Sequence, residues 1–349
     1  MALRIYNLDL LRFFAAMFVL LFHYTFRGYT ADHLSPTSFP LLGSVFKYGY
    51  LGVNLFFIIS GYVILMSAQS ATVKSFLASR ISRLYPAYWV AVTLTTLTVL
   101  FVQVNPFSVA WPQYLVNMTM LQGFFGVEAV DGAYWSLHVE LKFYFLIGAV
   151  LIFNKMTAID KIIIGWLLLS VLALFIPEHT SWGDIFKSIF ITEWSSYFIA
   201  GMMFYLIKAD GFSLSKIIML ISSLCLSIYL ALIKMGEYQN HFLTPYSKEV
   251  LIAIIVLFYL VFFLFNSGRP GFLNKEIFER LGALTYPLYL IHQMVGYILF
   301  IHFVHYNKYL VLSCIILFVL VVSYLINRLV EKNLGPLLRR KILAVPFLK

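Results

Sequence analysis

Ten apolar stretches of roughly bilayer-spanning length recur along this chain, near residues 8–26, 50–67, 86–104, 134–153, 162–176, 185–207, 214–233, 249–266, 284–304 and 309–330. A helix rises 1.5 Å per residue, so about 20 apolar residues cross a hydrocarbon core of about 30 Å. No water satisfies the backbone inside that core, so each stretch has to close its own hydrogen bonds as a helix. Composition agrees: 62% of the 349 residues are hydrophobic and 11% are charged, against roughly 25% charged in a soluble domain. A soluble enzyme and a single-span anchored domain are both excluded. The expected fold is an all-α integral membrane protein, a bundle of about ten transmembrane helices, with residues 1–349 as one domain and no appended soluble domain. Residues 109–125 are amphipathic and too short to span, which predicts a surface or re-entrant helix.

The formal net charge of +10 has a topological explanation. Lys and Arg gather in cytosolic loops of membrane proteins, and ten crossings put both termini on one side. With the termini inside, the inner segments hold 17 basic residues, among them Arg4, Arg80, Arg83, Arg269, Lys275, Arg339, Arg340 and Lys349. The outer segments hold six, and Arg12 and Lys142 fall within spans. The expected topology is N-in/C-in, and the charge then calls for no nucleic-acid partner. Cys225 and Cys314 lie inside apolar runs and read as small buried hydrophobes, with neither a disulfide framework nor metal-ligand spacing. Asp9 and Arg12 interrupt the first run, which therefore reads as a retained span and not a signal peptide.

Ionisable groups inside a span cost a few kcal/mol each and mark function. In the first span Arg12 and His23 are eleven residues apart. Eleven steps of 100° end about 20° past three full turns, so both share a face about 16 Å apart in depth. Asp9 stands three residues before Arg12, at ion-pair spacing. In the fourth span Ser136, Glu140 and Tyr144 recur every four residues on one face. Glu140, and Glu193 in the sixth span, reach the outer third, where His23 also lies. An imidazole oriented by a carboxylate is how a general base is built, and either glutamate could fill that place. His292, near the middle of the ninth span, reads either as catalytic or as a packed, hydrogen-bonded histidine. On the inner side Arg80 and Arg83 lie one helical turn apart, before Pro86 opens the third span. Two guanidiniums on one face suit phosphate, and basic anchoring accounts for them equally. Gly52 and Gly61 of the second span permit close helix approach, beside Asn54 and Ser60.

Five stretches, LDLLRFFAAMFVLLFHY, GVNLFFIISGYVI, RISRLYPAYW, YWSLHVELKFYF and LTYPLYLIHQ, occur in order from residue 8 to residue 293. Together they resemble the acyltransferase-3 family of integral membrane acyltransferases, which includes O-acetyltransferases of bacterial lipopolysaccharide, exopolysaccharide and nodulation factors. The family's Arg-x10-His signature falls on Arg12 and His23, its Arg-x-x-Arg on Arg80 and Arg83, and its Trp-Ser-Leu-x-x-Glu on Trp135, Ser136, Leu137 and Glu140. Two positions depart from the pattern: Asn54 stands where many members have Asp, and Leu141-Lys142 replaces a common Glu-Gln.

The resemblance implies acetyl-CoA or another acyl-CoA as donor substrate, with no permanently bound cofactor and no metal. It also implies a glycan or glycolipid acceptor and residence in the bacterial inner (plasma) membrane. Expected roles follow. His23, Arg12 and Glu140 are catalytic. Arg80, Arg83 and Arg12 hold the donor, and Trp135, Ser136, Glu193 and Asn54 meet the acceptor. The other reading of polar residues in spans is a transporter or flippase. It predicts internal symmetry between paired halves, and no repeat is visible.

Overall fold

The computed structural model describes residues 6–103, 105–177, 180–266 and 277–346. The basic positions Arg4, Arg269, Lys275 and Lys349 lie outside the described residues. Within them the fold is all helical, with no strand. The helices are α1 (Tyr6–Phe22), α2 (Gly28–Thr30), α3 (Pro40–Phe46), α4 (Leu51–Ala68), α5 (Val73–Val102), α6 (Trp111–Asn117), α7 (Trp135–Ile152) and α8 (Ile159–Leu172). They continue with α9 (Ser181–Ile189), α10 (Ser195–Asp210), α11 (Leu214–Phe242), α12 (Lys248–Asn266), α13 (Ile277–His302), α14 (Lys308–Ile326) and α15 (Lys332–Ala344).

Nine helical segments among the described residues are long and apolar enough to cross a membrane, and they match nine of the ten expected runs. The tenth run, 185–207, is broken. Its first part lies in α9, a turn follows at residues 190–194, and α10 supplies only 16 residues, about 24 Å of helix. Contacts between α1 and α13 count α10 as a crossing. Gly282 of α13 packs on Asp9, His292 on His23 and Gly296 on Tyr24, so residue numbers rise together and the two helices run parallel. Each crossing reverses the chain, so parallel α1 and α13 require an odd number of crossings between them. Six long segments lie between them and would make α13 antiparallel, whereas α10 as a seventh crossing restores the observed direction.

Other details depart from expectation. Pro86 does not open a span; it sits inside α5, which begins at Val73. Residues 109–125, by contrast, form a helix too short to span, as expected: α6, with a 3-10 turn at Gln122–Phe124. Asn117 lies in an Asn-Met-Thr sequon but is fully buried, bonding Gln113 O and Glu128 O through Nδ2 and Val130 N–H through Oδ1. It ties the loop together. Cys225 and Cys314 are exposed on α11 and α14, because spanning helices turn part of their apolar surface outward.

The chain forms two compact units. The first comprises Met1–Gly52, Leu77–His138 and Lys275–Lys349. Small residues let its helices meet: a Cβ on Gly52 would stand 2.6 Å from Ala15 O, and one on Gly282 would stand 2.5 Å from Asp9 Cβ. The second comprises Val53–Phe76 and Val139–Asn274. Its core is an aromatic stack in which Phe198 lies 4.7 Å from Phe57 and 4.3 Å from Phe143, ring centre to ring centre. There α4 and α10 touch backbone to backbone. Gly61 faces Phe198 O, and Gly201 faces Ile58 O, the close approach that glycine allows between membrane helices.

Candidate active site

His23 opens a π-helical turn, His23–Arg27, at the end of α1. Such a turn widens the helix and leaves carbonyls short of backbone donors. Side chains add bonds to nearby carbonyls: Thr25 Oγ1 donates to Leu21 O at 2.7 Å, and His23 Nδ1 lies 2.8 Å from Val19 O. The facing stretch of α13 follows Pro287, which has no N–H to donate. It too exchanges backbone bonds with side chains. Tyr24 Oη donates to His292 O at 2.7 Å, and Met294 N–H donates to Asp131 Oδ2 at 2.9 Å. Gly296 makes the space that the Tyr24 ring occupies.

At this junction His292 Nε2 is 3.2 Å from His23 Nδ1, the two rings 4.9 Å apart and edge to face. Both histidines are buried, at 5% and 1% exposure. Their acceptors fix the tautomers. A carbonyl only accepts, so Nδ1 of His292, 2.8 Å from Tyr289 O, carries the proton and its Nε2 presents a lone pair. His23 Nδ1, between Val19 O and that lone pair, is therefore also the protonated nitrogen. The remaining nitrogen, His23 Nε2, is a basic lone pair, and among the described residues nothing is hydrogen-bonded to it. His23 is thus oriented by an imidazole and a carbonyl, where a carboxylate was expected, with Nε2 left able to accept a proton.

Two further groups lie beside the pair. Asp131 is fully buried and accepts from Ala133 N–H and Met294 N–H, both at 2.9 Å. Burial pushes its carboxyl up to about 6, while those two N–H bonds pull the other way. Ser136 Oγ lies 2.6 Å from Tyr289 Oη, and the Tyr289 ring is 5.5 Å from that of His292. Trp135, the first residue of α7, is 37% exposed.

The other expected residues fall as follows. Arg12 pairs with Asp9 at 3.4 Å, as their spacing predicts. Arg83 pairs with Glu331 at 3.1 Å and stacks 5.6 Å from the Tyr286 ring, whereas Arg80 bonds Ser79 Oγ at 2.8 Å. In the second unit Glu140 Oε1 accepts from Ser60 Oγ at 2.7 Å and from Tyr144 Oη at 2.6 Å. Asn54 is buried and bonds the Tyr197 side chain. Glu193 is not within a span: it is exposed in the turn between α9 and α10, close enough to Lys142 and Lys234 to interact with their charges. The turn arises at Ile191, whose φ of 44° no helix accommodates. Asp131 carried no motif, and Tyr24, which ends the first quoted stretch beside His23, was given no role there.

The profile of the acyltransferase domain, Acyl_transf_3, matches residues 5–328, nearly the whole chain. The chain belongs to the acyltransferase-3 family. Among relatives of this family member, nodulation protein 10 of Rhizobium leguminosarum bv. viciae is 32% identical over 160 residues, 40% of this chain and 42% of that protein. The match thus spans about two fifths of that relative's length. ORF330 of Acidianus two-tailed virus, which carries a provisional name as an acetyltransferase, is 25% identical over 256 residues, 72% of this chain and 74% of that one. No solved structure matches. Membership and helices together make this acyltransferase-3 protein a multi-pass membrane protein of an acyltransferase family.

Proposed function

We propose that the protein moves an acyl group, acetyl in the first instance, from cytosolic acyl-CoA to a hydroxyl of a cell-surface polysaccharide or glycolipid sugar. His23 Nε2 is the base, with the termini on the cytosolic side of the plasma membrane. The observation that carries this reading is the lone pair on His23 Nε2, set by the contacts of Nδ1 with Val19 O and His292 Nε2.

The chemistry follows from that lone pair. As the acceptor oxygen attacks the thioester carbonyl, its proton passes to His23 Nε2. The imidazolium formed keeps its Nδ1–H between two acceptors. Collapse of the tetrahedral intermediate breaks the carbon–sulfur bond, and the departing thiolate takes the proton from Nε2. An ester and free CoA result, and His23 returns to its starting tautomer. Arg80 and Arg83 are assigned to the donor's phosphates, and Arg12, on the face of α1 below His23, to the donor's path. The exposed Trp135 indole, with Ser136 beside it, supplies a platform on which a sugar ring stacks. Asn54, Glu140 and Glu193 are assigned to the acceptor side, Glu140 through its hydroxyl partners Ser60 and Tyr144.

The test is transfer of radiolabelled acetyl from acetyl-CoA into a glycan or glycolipid fraction by membranes holding parental or His23→Ala protein at matched expression. Label that disappears with His23 is expected. A folded His23→Ala protein that labels at the parental rate removes the base from the mechanism.

A further inference from the structure

An open cavity of about 580 Å³ lies in the first unit where the start of α5 meets α15, and Ser82, Arg83, Gly335, Arg339, Arg340 and Leu343 line it. We infer that this cavity binds the phosphates of the acyl-CoA donor through Arg83, Arg339 and Arg340, so that α15 completes the donor site; the inference rests on the acyl-CoA reading above. Sequence spacing pairs Arg83 with Arg80, but Arg80 does not line the cavity. The guanidiniums that share it with Arg83 come from more than 250 residues further along the chain.

The geometry is built by backbone. Pro86 has no N–H for the carbonyl four residues back, so Ser82 O is released from the α5 ladder. Gly335 sits on that carbonyl: a Cβ there would stand 3.2 Å from Ser82 O, so glycine lets α15 lie directly against α5. From Gly335, steps of 100° per residue bring Pro336, Arg339, Arg340 and Leu343 to the same side of α15, the side that lines the cavity. Leu334 and Leu337 are on the other side, exposed at 44% and 46%.

Charge favours an anion there. Glu331 offsets Arg83, but Arg339 and Arg340 have no ion-pair partner among the described residues. A 3′-phosphorylated adenosine diphosphate presents phosphate at two places, and planar guanidiniums hold such groups bidentately. Position favours the donor over a lipid headgroup. Arg83 stacks on Tyr286, whose hydroxyl donates to Leu84 O at 3.0 Å, and His292 is six residues further along the same helix, a rise of about 9 Å. A thin pantetheine arm leaving the cavity along α13 runs toward the histidine pair.

The experiment uses full-length protein in nanodiscs of zwitterionic lipid, with and without phosphatidylglycerol, and radiolabelled CoA as the probe. Arg339→Gln/Arg340→Gln is expected to weaken CoA binding by roughly tenfold or more per guanidinium. It is expected to leave the affinity for pantetheine, which has no phosphates, unchanged. Lys341→Gln removes one charge from the same helix but not from the cavity lining, and is expected to bind CoA like the parent. In turnover, the double variant raises KM for acetyl-CoA and not for S-acetylpantetheine. Parental CoA affinity in the double variant overturns the proposal and leaves the donor reading standing. So does equal weakening by Lys341→Gln, or a loss seen only when phosphatidylglycerol is present, which assigns the cavity to lipid headgroups. A parental protein that binds CoA through these arginines yet transfers nothing keeps the site and refutes acyl transfer; one that binds no CoA refutes both.

Discussion

Replacing His292 by alanine tests the tautomer argument directly, because His292 touches no substrate in the proposed chemistry. In the parent, the Nδ1–H of His23 is shared between Val19 O at 2.8 Å and His292 Nε2 at 3.2 Å. Alanine removes the second acceptor and leaves the first, so the ring keeps its tautomer but its imidazolium loses one of two hydrogen bonds. A bond to a charged group contributes about 1.5–3 kcal/mol. At 1.36 kcal/mol per tenfold, kcat falls by about 10- to 150-fold. The acetyl-CoA KM stays at the parental value, since the lost bond strengthens only as the proton arrives. The assay is acetyl-CoA-dependent labelling of glycan over a range of donor concentrations, with monodispersity checked by size exclusion. His292→Gln, whose amide oxygen can accept in place of Nε2, restores part of the loss. A well-folded His292→Ala protein with parental kcat refutes the reasoning, and so does one whose KM alone changes.

Two further outcomes follow from packing and charge. Gly201→Ala places a methyl against Ile58 O, a backbone atom that no rotamer change can move; the detergent-extracted protein is expected to lose at least the 1–3 kcal/mol typical of overpacking. An unchanged thermal midpoint would mean that α4 and α10 can separate freely. Asp131, raised from 3.8 to about 6, holds a proton in the folded state over a window where the unfolded chain has released it. The folded form binds more protons there, so stability falls as pH rises from about 4 to about 6 and is level above. Two pH units amount to about 3 kcal/mol. Thermal midpoints across this window are expected to fall with rising pH in the parent and to flatten in Asp131→Asn. A midpoint that climbs with pH in the parent only would reverse the assignment.

What could be read from sequence depended on whether the information was local. Apolar runs are local, and nine of ten appear as long helices; α10 fell short because the chain turns at Ile191, where the polar Thr192, Glu193, Ser195 and Ser196 interrupt an otherwise apolar run. The Asp9–Arg12 pair and the role of Gly52 and Gly61 as contact points were equally legible, since helical spacing and the lack of a side chain are properties of one segment. The orienting partner of His23 was not. Its candidates were carboxylates, yet the structure places an imidazole from 269 residues away on Nδ1, through a π turn and a proline that no periodicity argument represents. Arg339 and Arg340 were counted as cytosolic anchors for the same reason: only the approach of Gly335 to Ser82 O shows which basic residues share a cavity with Arg83.

A histidine partner has a physical consequence that a carboxylate partner would not. A carboxylate on His23 Nδ1 would hold a full charge in an apolar interior throughout the resting state, at an effective cost of several kcal/mol. With His292 there, both rings rest neutral, since Tyr289 O and the Nε2 lone pair account for both Nδ1 protons. Charge appears only when Nε2 takes the acceptor's proton, at the moment the thioester oxygen gains negative charge nearby, so the two charges arise together. His292→Glu separates this account from one in which any acceptor suffices. Its carboxylate can accept from Nδ1–H at least as strongly as the amide of His292→Gln, but it brings a permanent buried charge. The Glu variant is therefore expected to be less stable than the Gln variant by a few kcal/mol, read as a lower thermal midpoint near neutral pH. The gap is expected to narrow as acid protonates the new carboxyl. Equal midpoints at neutral pH would show that this junction tolerates a resting charge, and the advantage claimed for a neutral partner would be gone.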